Sequence, residues 1–206
     1  MRLVDVHARL LGMNIPVFRT AEAGAFLGIG NAHASKLLAR LAASGHLIRL
    51  GRGRWGFKQR IDSFALPEYL TSPYPSYVSL QSALFYHGMI SQVPSVIYAV
   101  SIARSRKHTT AMGLVSIHHV DPSFFFGYRL AGKGPGKMAT PEKALVDYLY
   151  LGPARSRLFQ ALPELEYPRG FKVSEVRKLI RRIRSVRRRN HARRRFEALW
   201  KDRGLS

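Results

Sequence analysis

Apolar positions along the first sixty residues recur with a helical period three times and then alternate, which predicts three helices followed by a hairpin. Leu3, Val4, Val6, Leu10 and Leu11 supply the apolar side of a helix over residues 2–11. Ile15-Pro16-Val17-Phe18 is extended, because Pro16 disfavours helix at Ile15. Thr20 is placed to cap a second helix, with Glu22 near its positive dipole end and Ala25, Phe26 and Leu27 as its apolar side. Gly28 and Gly30 close it. Asn31 then caps a third helix, in which Ala34, Leu37, Leu38 and Leu41 fall at i, i+3, i+4 and i+7. Gly45 ends that helix. His46-Leu47-Ile48-Arg49-Leu50 alternates as a strand, and Gly51-Arg52-Gly53-Arg54 turns the chain back into Trp55-Gly56-Phe57. Helix, turn, helix, basic hairpin is the order of a winged helix-turn-helix, whose second helix enters the major groove of DNA.

Beyond residue 60 the pattern changes. Residues 61–76 hold Pro67, Pro73 and Pro75 and read as a linker, or a short helix plus loop. Ser79 to Gly88 predicts a capped, glycine-terminated helix. Strands are expected at 96–100, 114–120 and 125–130 and around 137–139, with 132–136 as a hairpin turn. Thr140-Pro141-Glu142 opens a helix that runs to Leu151 and stops at Gly152-Pro153. One last long helix starts at Ser174, with Val176, Leu179, Ile180, Ile183 and Val186 as a single stripe. Phe196, Leu199 and Trp200 restore an apolar face after an arginine run. The expected fold class is α+β: a winged helix-turn-helix over 1–60, a linker over 61–76, a mixed α/β domain over 77–165, and an arginine-rich helical extension over 166–206.

Charge sharpens this picture. The 206 residues carry a net charge of +22. Residues 1–60 hold 10 basic and 2 acidic groups and residues 153–206 hold 17 and 5, while the stretch between holds 7 and 5. Both ends are polycationic and the middle is balanced, which implies a polyanionic partner, nucleic acid first and an anionic membrane surface second. There is no cysteine, so disulfides and thiolate chemistry are excluded. No run of about 18 apolar residues is present and the N-terminus lacks a signal-peptide core, so a cytoplasmic location is expected.

The candidate DNA-binding residues are Asn31, His33, Ser35, Lys36 and Arg40 on the third helix and Arg49, Arg52 and Arg54 on the hairpin. Side chains near the helix start reach base edges; lysine and arginine meet phosphates or guanine. Two glycines let the hairpin tip approach a narrow groove, and Trp55 reads as the core residue that anchors it. In the tail, Arg181, Arg184, Arg188 and Arg194 are candidates for contacts with nucleic-acid backbone or an acidic partner protein. Catalytic signals are sparse. None of the eight histidines shows metal-ligand spacing, and no phosphate-binding loop leads into a helix, so no cofactor, metal or catalytic residue is expected. His118 and His119 are adjacent on a strand and point to opposite faces. Glu142, Lys143 and Asp147 are the acid/base alternative, although Lys143 and Asp147 at i, i+4 read as a surface ion pair.

Three stretches carry a family resemblance: Tyr77-Val-Ser-Leu-Gln-Ser-Ala-Leu-Phe-Tyr-His-Gly88, Phe126-Gly-Tyr128, and Ala139-Thr-Pro-Glu-Lys-Ala-Leu-Val-Asp147. With the preceding winged helix they resemble the AbiEi antitoxins of abortive-infection, type IV toxin–antitoxin systems, over roughly residues 1–152. The arginine-rich tail departs from that pattern. The resemblance implies a bacterial antitoxin, not an enzyme, that represses its own operon by binding inverted repeats, as a dimer on the DNA. A second domain would counter a nucleotidyltransferase-like toxin. Ser79, Ser82, His87, Glu142, Lys143 and Asp147 serve as marks of the resemblance. The alternative is a protein that modifies nucleic acid, or binds RNA or the ribosome, through its basic tail.

Overall fold

Alternation and helical periodicity at the start of the chain produce the expected elements, with shifted ends. The computed structural model describes residues 2–132, 134–152 and 164–202. Lys133 of the predicted hairpin turn, Pro153, and the stretch before residue 164 that includes most of the end of the expected 77–165 domain lie outside the described residues. Helix α1 (Leu3–Leu11) buries Val6 and Leu10, while Val4 is 74% exposed. Strand β1 (Val17–Arg19) leads directly into α2 (Thr20–Leu27). Thr20 does not cap α2. The helix begins at Thr20, and Glu22 accepts the N–H of Arg19 at 2.7 Å. The Thr20 hydroxyl instead accepts the Trp55 indole N–H at 2.9 Å, and its backbone N–H donates to Gly53 O at 3.0 Å, so α2 is tied to the hairpin.

The buried side of α2 is Ala23, Gly24 and Leu27; Ala25 and Phe26 face outward. The reason is close packing on the next helix: a Cβ on Gly24 would lie 3.0 Å from Ile29 O and 3.6 Å from Ala34 Cβ. In α3 (Asn31–Ala43) the cap position is Gly30, and Asn31 is the first helical residue. Its predicted stripe is buried. Gly45 at φ 78° lets its own N–H reach Ala42 O and that of His46 reach Leu41 O, satisfying the last carbonyls. Strands β2 (Ile48–Gly51) and β3 (Arg54–Gly56) follow, giving a small antiparallel sheet in the order β1-β3-β2.

The rest of the chain comprises α4 (Leu66–Thr71), β4 (Ser76–Val78), α5 (Leu80–Tyr86), β5 (Val96–Ser101), β6 (Arg106–Thr110), β7 (Gly113–His119), β8 (Tyr128–Leu130), β9 (Lys137–Ala139), α6 (Pro141–Leu151), α7 (Val173–Arg181) and α8 (Val186–Asp202). The six strands form one mixed sheet in the order β6-β7-β5-β4-β9-β8. The whole is an α+β fold. Thr140 caps α6, accepting the Lys143 N–H at 3.3 Å. Two expectations change. Strand β6, polar throughout, was not predicted. The single helix expected from Ser174 is two, broken at residues 182–185, and the break takes Val186 off the stripe to 58% exposure.

Three apolar clusters hold these elements. The first lies between α1–α3 and one face of the small sheet, through Phe18, Leu47 and Trp55. The second packs α5, α6, α7 and α8 on the large sheet; Val176, Leu179, Ile180, Ile183, Ala192 and Phe196 belong to it, so the arginine-rich helices help build the core. The third joins Ile48 and Leu50 of β2 to Ile61, Leu66 and Leu70 and to Ala99, Val115 and Ile117 of the large sheet. Residues 61–71, read as a possible linker, are therefore packed between the two sheets. Among the described residues no helix is long and apolar enough to cross a membrane.

Candidate nucleic-acid interface

Helix α3 sorts its residues by the stripe beneath them. With Ala34, Leu37, Leu38 and Leu41 buried, Asn31, His33, Ser35, Lys36 and Arg40 are left exposed on its outer surface. Beside it, Arg49 projects from β2 with its guanidinium 5.6 Å from the Trp55 ring centre, and Arg52 is exposed at the hairpin tip. Gly53 at φ 65° makes that tight tip feasible. Trp55 is only 4% exposed and anchors the hairpin from below.

Arg54 does not project from the tip. Its guanidinium donates to Leu70 O at 3.0 Å and Ser72 O at 3.3 Å, clamping β3 to the end of α4. Burial and the neighbouring Arg19 lower its proton affinity. In the tail, Arg181, Arg184 and Arg194 are exposed, but Arg188 is folded back with its guanidinium 4.7 Å from the Tyr150 ring centre. Arg182 covers Phe126 at 3.4 Å, and Arg177 makes a two-pronged ion pair with Glu197 at 2.9–3.0 Å. Much of this arginine density is thus spent on the protein itself.

The acid/base alternative is rearranged. Lys143 and Asp147 form an ion pair of 2.8 Å that is 0% exposed on both sides, not a surface pair. Asp147 also accepts hydrogen bonds from Ser79 Oγ at 2.8 Å and Tyr77 OH at 3.0 Å, and Lys143 donates to Phe124 O at 3.0 Å with its ammonium 3.4 Å from the Phe124 ring centre. Burial lowers the Lys143 pKa and raises that of Asp147, and their mutual attraction opposes both shifts. Burial and the adjacent carboxylate raise the Tyr77 pKa well above the usual phenol value. Ser79 therefore spends its hydroxyl on Asp147 and does not cap α5, while Leu80 after it sits at φ 54° with its side chain fully buried. Glu142 lies apart and accepts the Lys172 N–H at 3.0 Å. Ser82 bridges Val96 O and the Tyr98 N–H, and His87 contacts Ala139 O at 2.8 Å. The three motif stretches thus meet in a buried polar node whose lysine and aspartate side chains are both 0% exposed.

His118 and His119 do diverge. His119 is exposed, while His118 is half-buried beside Ser116 and Tyr98, and burial with nearby Lys107 lowers its pKa to about 4. Among the described residues, no group of three or more His, Asp or Glu side chains is arranged to hold a metal. One basic cluster was overlooked in the sequence: Arg104-Ser-Arg-Lys-His108, which forms β6 and the loop before it. Four cationic or titratable residues in five were its signal.

No curated protein matches the chain. Residues 8–56 match the family model described as transcriptional regulator, AbiEi antitoxin. The match runs from within α1 to the end of β3 and stops before the motif stretches at 77–88, 126–128 and 139–147. From within α1 to the end of β3, therefore, the chain is similar to the AbiEi antitoxin transcriptional regulators.

Proposed function

We propose that the protein is a DNA-binding antitoxin of a type IV system that represses its own operon. In this reading residues 1–60 are a winged helix-turn-helix. Helix α3 enters the major groove with Asn31, His33 and Ser35 toward base edges, and Lys36, Arg40, Arg49 and Arg52 meet backbone phosphates. Arg54 sets the position of the wing. What supports the reading above all is the exposed polar and cationic face of α3 beside a rigidly tied basic hairpin, inside the segment that resembles a regulator family. Inverted repeats in the operator call for two copies related by a two-fold axis. The remaining α+β portion would counter a nucleotidyltransferase-like toxin, with Arg181, Arg184 and Arg194 offered to toxin or DNA backbone.

Fluorescence anisotropy with duplex DNA from upstream of the gene tests the reading, against a scrambled duplex and a duplex RNA at several salt concentrations. Preference for the native duplex that survives higher salt is the expected result, with a log–log salt slope of about −6 for six to eight neutralised phosphates. Equal binding to all three that collapses with salt would replace operator recognition by charge alone.

A further inference from the structure

We propose that the groove between the end of α4 and the outer strand of the large sheet is a second site for backbone phosphates of duplex DNA, extending the contact made by α3 and Arg52. This rests on the DNA-binding reading above. The groove has a volume of about 590 Å³ and is lined by Leu70, Thr71, Tyr74, Arg104, Arg106 and His108, among others. Strand β6 is the edge of the sheet and pairs only with β7. Its register, Arg106 opposite Ile117 and His108 opposite Val115, puts both side chains on the face that packs toward β2. Lys107 falls on the other face. Arg106 and His108 thus converge on Arg54, whose clamp on Leu70 O and Ser72 O brings it to the same wall. Their proximity shows in His108, whose proton affinity is lowered by burial and by repulsion from Arg106 and Arg54.

Among the described residues no carboxylate pairs with Arg52, Arg54, Arg104 or Arg106. Glu68, the carboxylate on α4, is held by Lys137 at 2.6 Å and by the Ser76 N–H. Charged residues on an edge strand also discourage strand pairing between molecules. That role accounts for charge on β6, but it does not require the charges to converge with an arginine from the other sheet beside Tyr74, which is 53% exposed. An anion seated there satisfies them. Arg54, hydrogen-bonded to the α4 side of this groove, follows Arg52 of the hairpin tip by two residues, which links the groove to the tip through the chain.

The test uses the full chain and the upstream duplex, the scrambled duplex, and two pairs of substitutions. Arg104→Ala/Arg106→Ala is expected to weaken binding to both duplexes about tenfold and reduce the steepness of the salt slope by about two, without changing sequence preference. Arg104→Lys/Arg106→Lys keeps the charge and should retain a slope near wild type, which separates lost phosphate contacts from lost folding. Lys36→Ala/Arg40→Ala on α3 reports on the parent reading. If that pair weakens binding while Arg104→Ala/Arg106→Ala keeps wild-type affinity and slope, the groove proposal is overturned and the parent reading stands. If the wild-type chain prefers no duplex and the α3 pair changes nothing, both fall. If inorganic phosphate shifts the His108 imidazole NMR signal while the Arg104→Ala/Arg106→Ala protein binds duplex normally, the groove takes free anions and the assignment to DNA is wrong.

Discussion

Lys143 and Asp147 lie one helical turn apart on α6 with no solvent on either, so removing one charge strands the other. Lys143→Met is expected to cost about 3–5 kcal/mol of stability in urea denaturation at neutral pH. The double variant Lys143→Met/Asp147→Leu should cost less than the single, because no charge is left in the core and only the Tyr77 and Ser79 hydroxyls lose their acceptor. A single variant that unfolds like the parent protein would contradict the burial of the pair. His118 supplies a pH effect of definite sign. Its pKa falls from 6.5 to about 4 in the folded chain, so below 6.5 the unfolded chain takes up a proton that the folded chain refuses. Stability contributed by the neutral ring is complete above pH 6.5 and is lost as pH falls toward 4, by about 3 kcal/mol. The difference in unfolding free energy between His118→Gln and the parent, followed from pH 7 to 4, should narrow or invert across that window. A difference independent of pH would refute it.

Among the elements, Gly127 marks how tightly the loop before β8 approaches α6. It sits at φ 77°, and a Cβ would come within 2.9 Å of Lys143 Cγ. Gly134, at φ 89°, has nothing within 4 Å. Both Gly→Ala changes incur backbone strain of about 1–3 kcal/mol, but only Gly127→Ala also displaces the buried lysine, so its melting temperature should fall further. Equal shifts would mean that strain alone acts at both positions. The same contrast between local and tertiary causes explains what could be read along the chain. The stripe of α3 and the Thr140 cap of α6 are local patterns, and both were legible. Strand β6 was not, because an edge strand of Arg-Lys-His-Thr-Thr has no apolar alternation to announce it. Thr20 obeys the local rule for a cap and is drawn instead to the Trp55 indole. For Lys143 and Asp147, i, i+4 spacing is the same on a surface as in a core. Only the enclosure of α6 by its neighbours decides between them. The break between α7 and α8 was hidden because the apolar period happens to continue to Val186 across it.

At the scale of the whole molecule, the small sheet is covered on both faces, by α1–α3 on one side and by the large sheet and α4 on the other. For the hairpin to swing independently of β6 the third cluster would have to open, and a DNA contact that spans α3, Arg52 and the groove requires it to stay closed. The arrangement predicts one cooperative unfolding transition. The chain has two tryptophans, and Trp200→Phe leaves Trp55, in the first cluster, as the sole reporter on α1 to β3. In that background Ile117→Ala removes buried volume from β7, across the junction from the hairpin, at an expected cost of about 2–4 kcal/mol. Trp55 fluorescence and far-UV circular dichroism should shift together to lower denaturant. Were α1 to β3 an independent unit, the Trp55 transition would stay in place while the rest of the molecule unfolded earlier. The third cluster would then be a contact too weak to hold the hairpin in register with β6, and a continuous DNA surface across the two sheets would lose its mechanical basis.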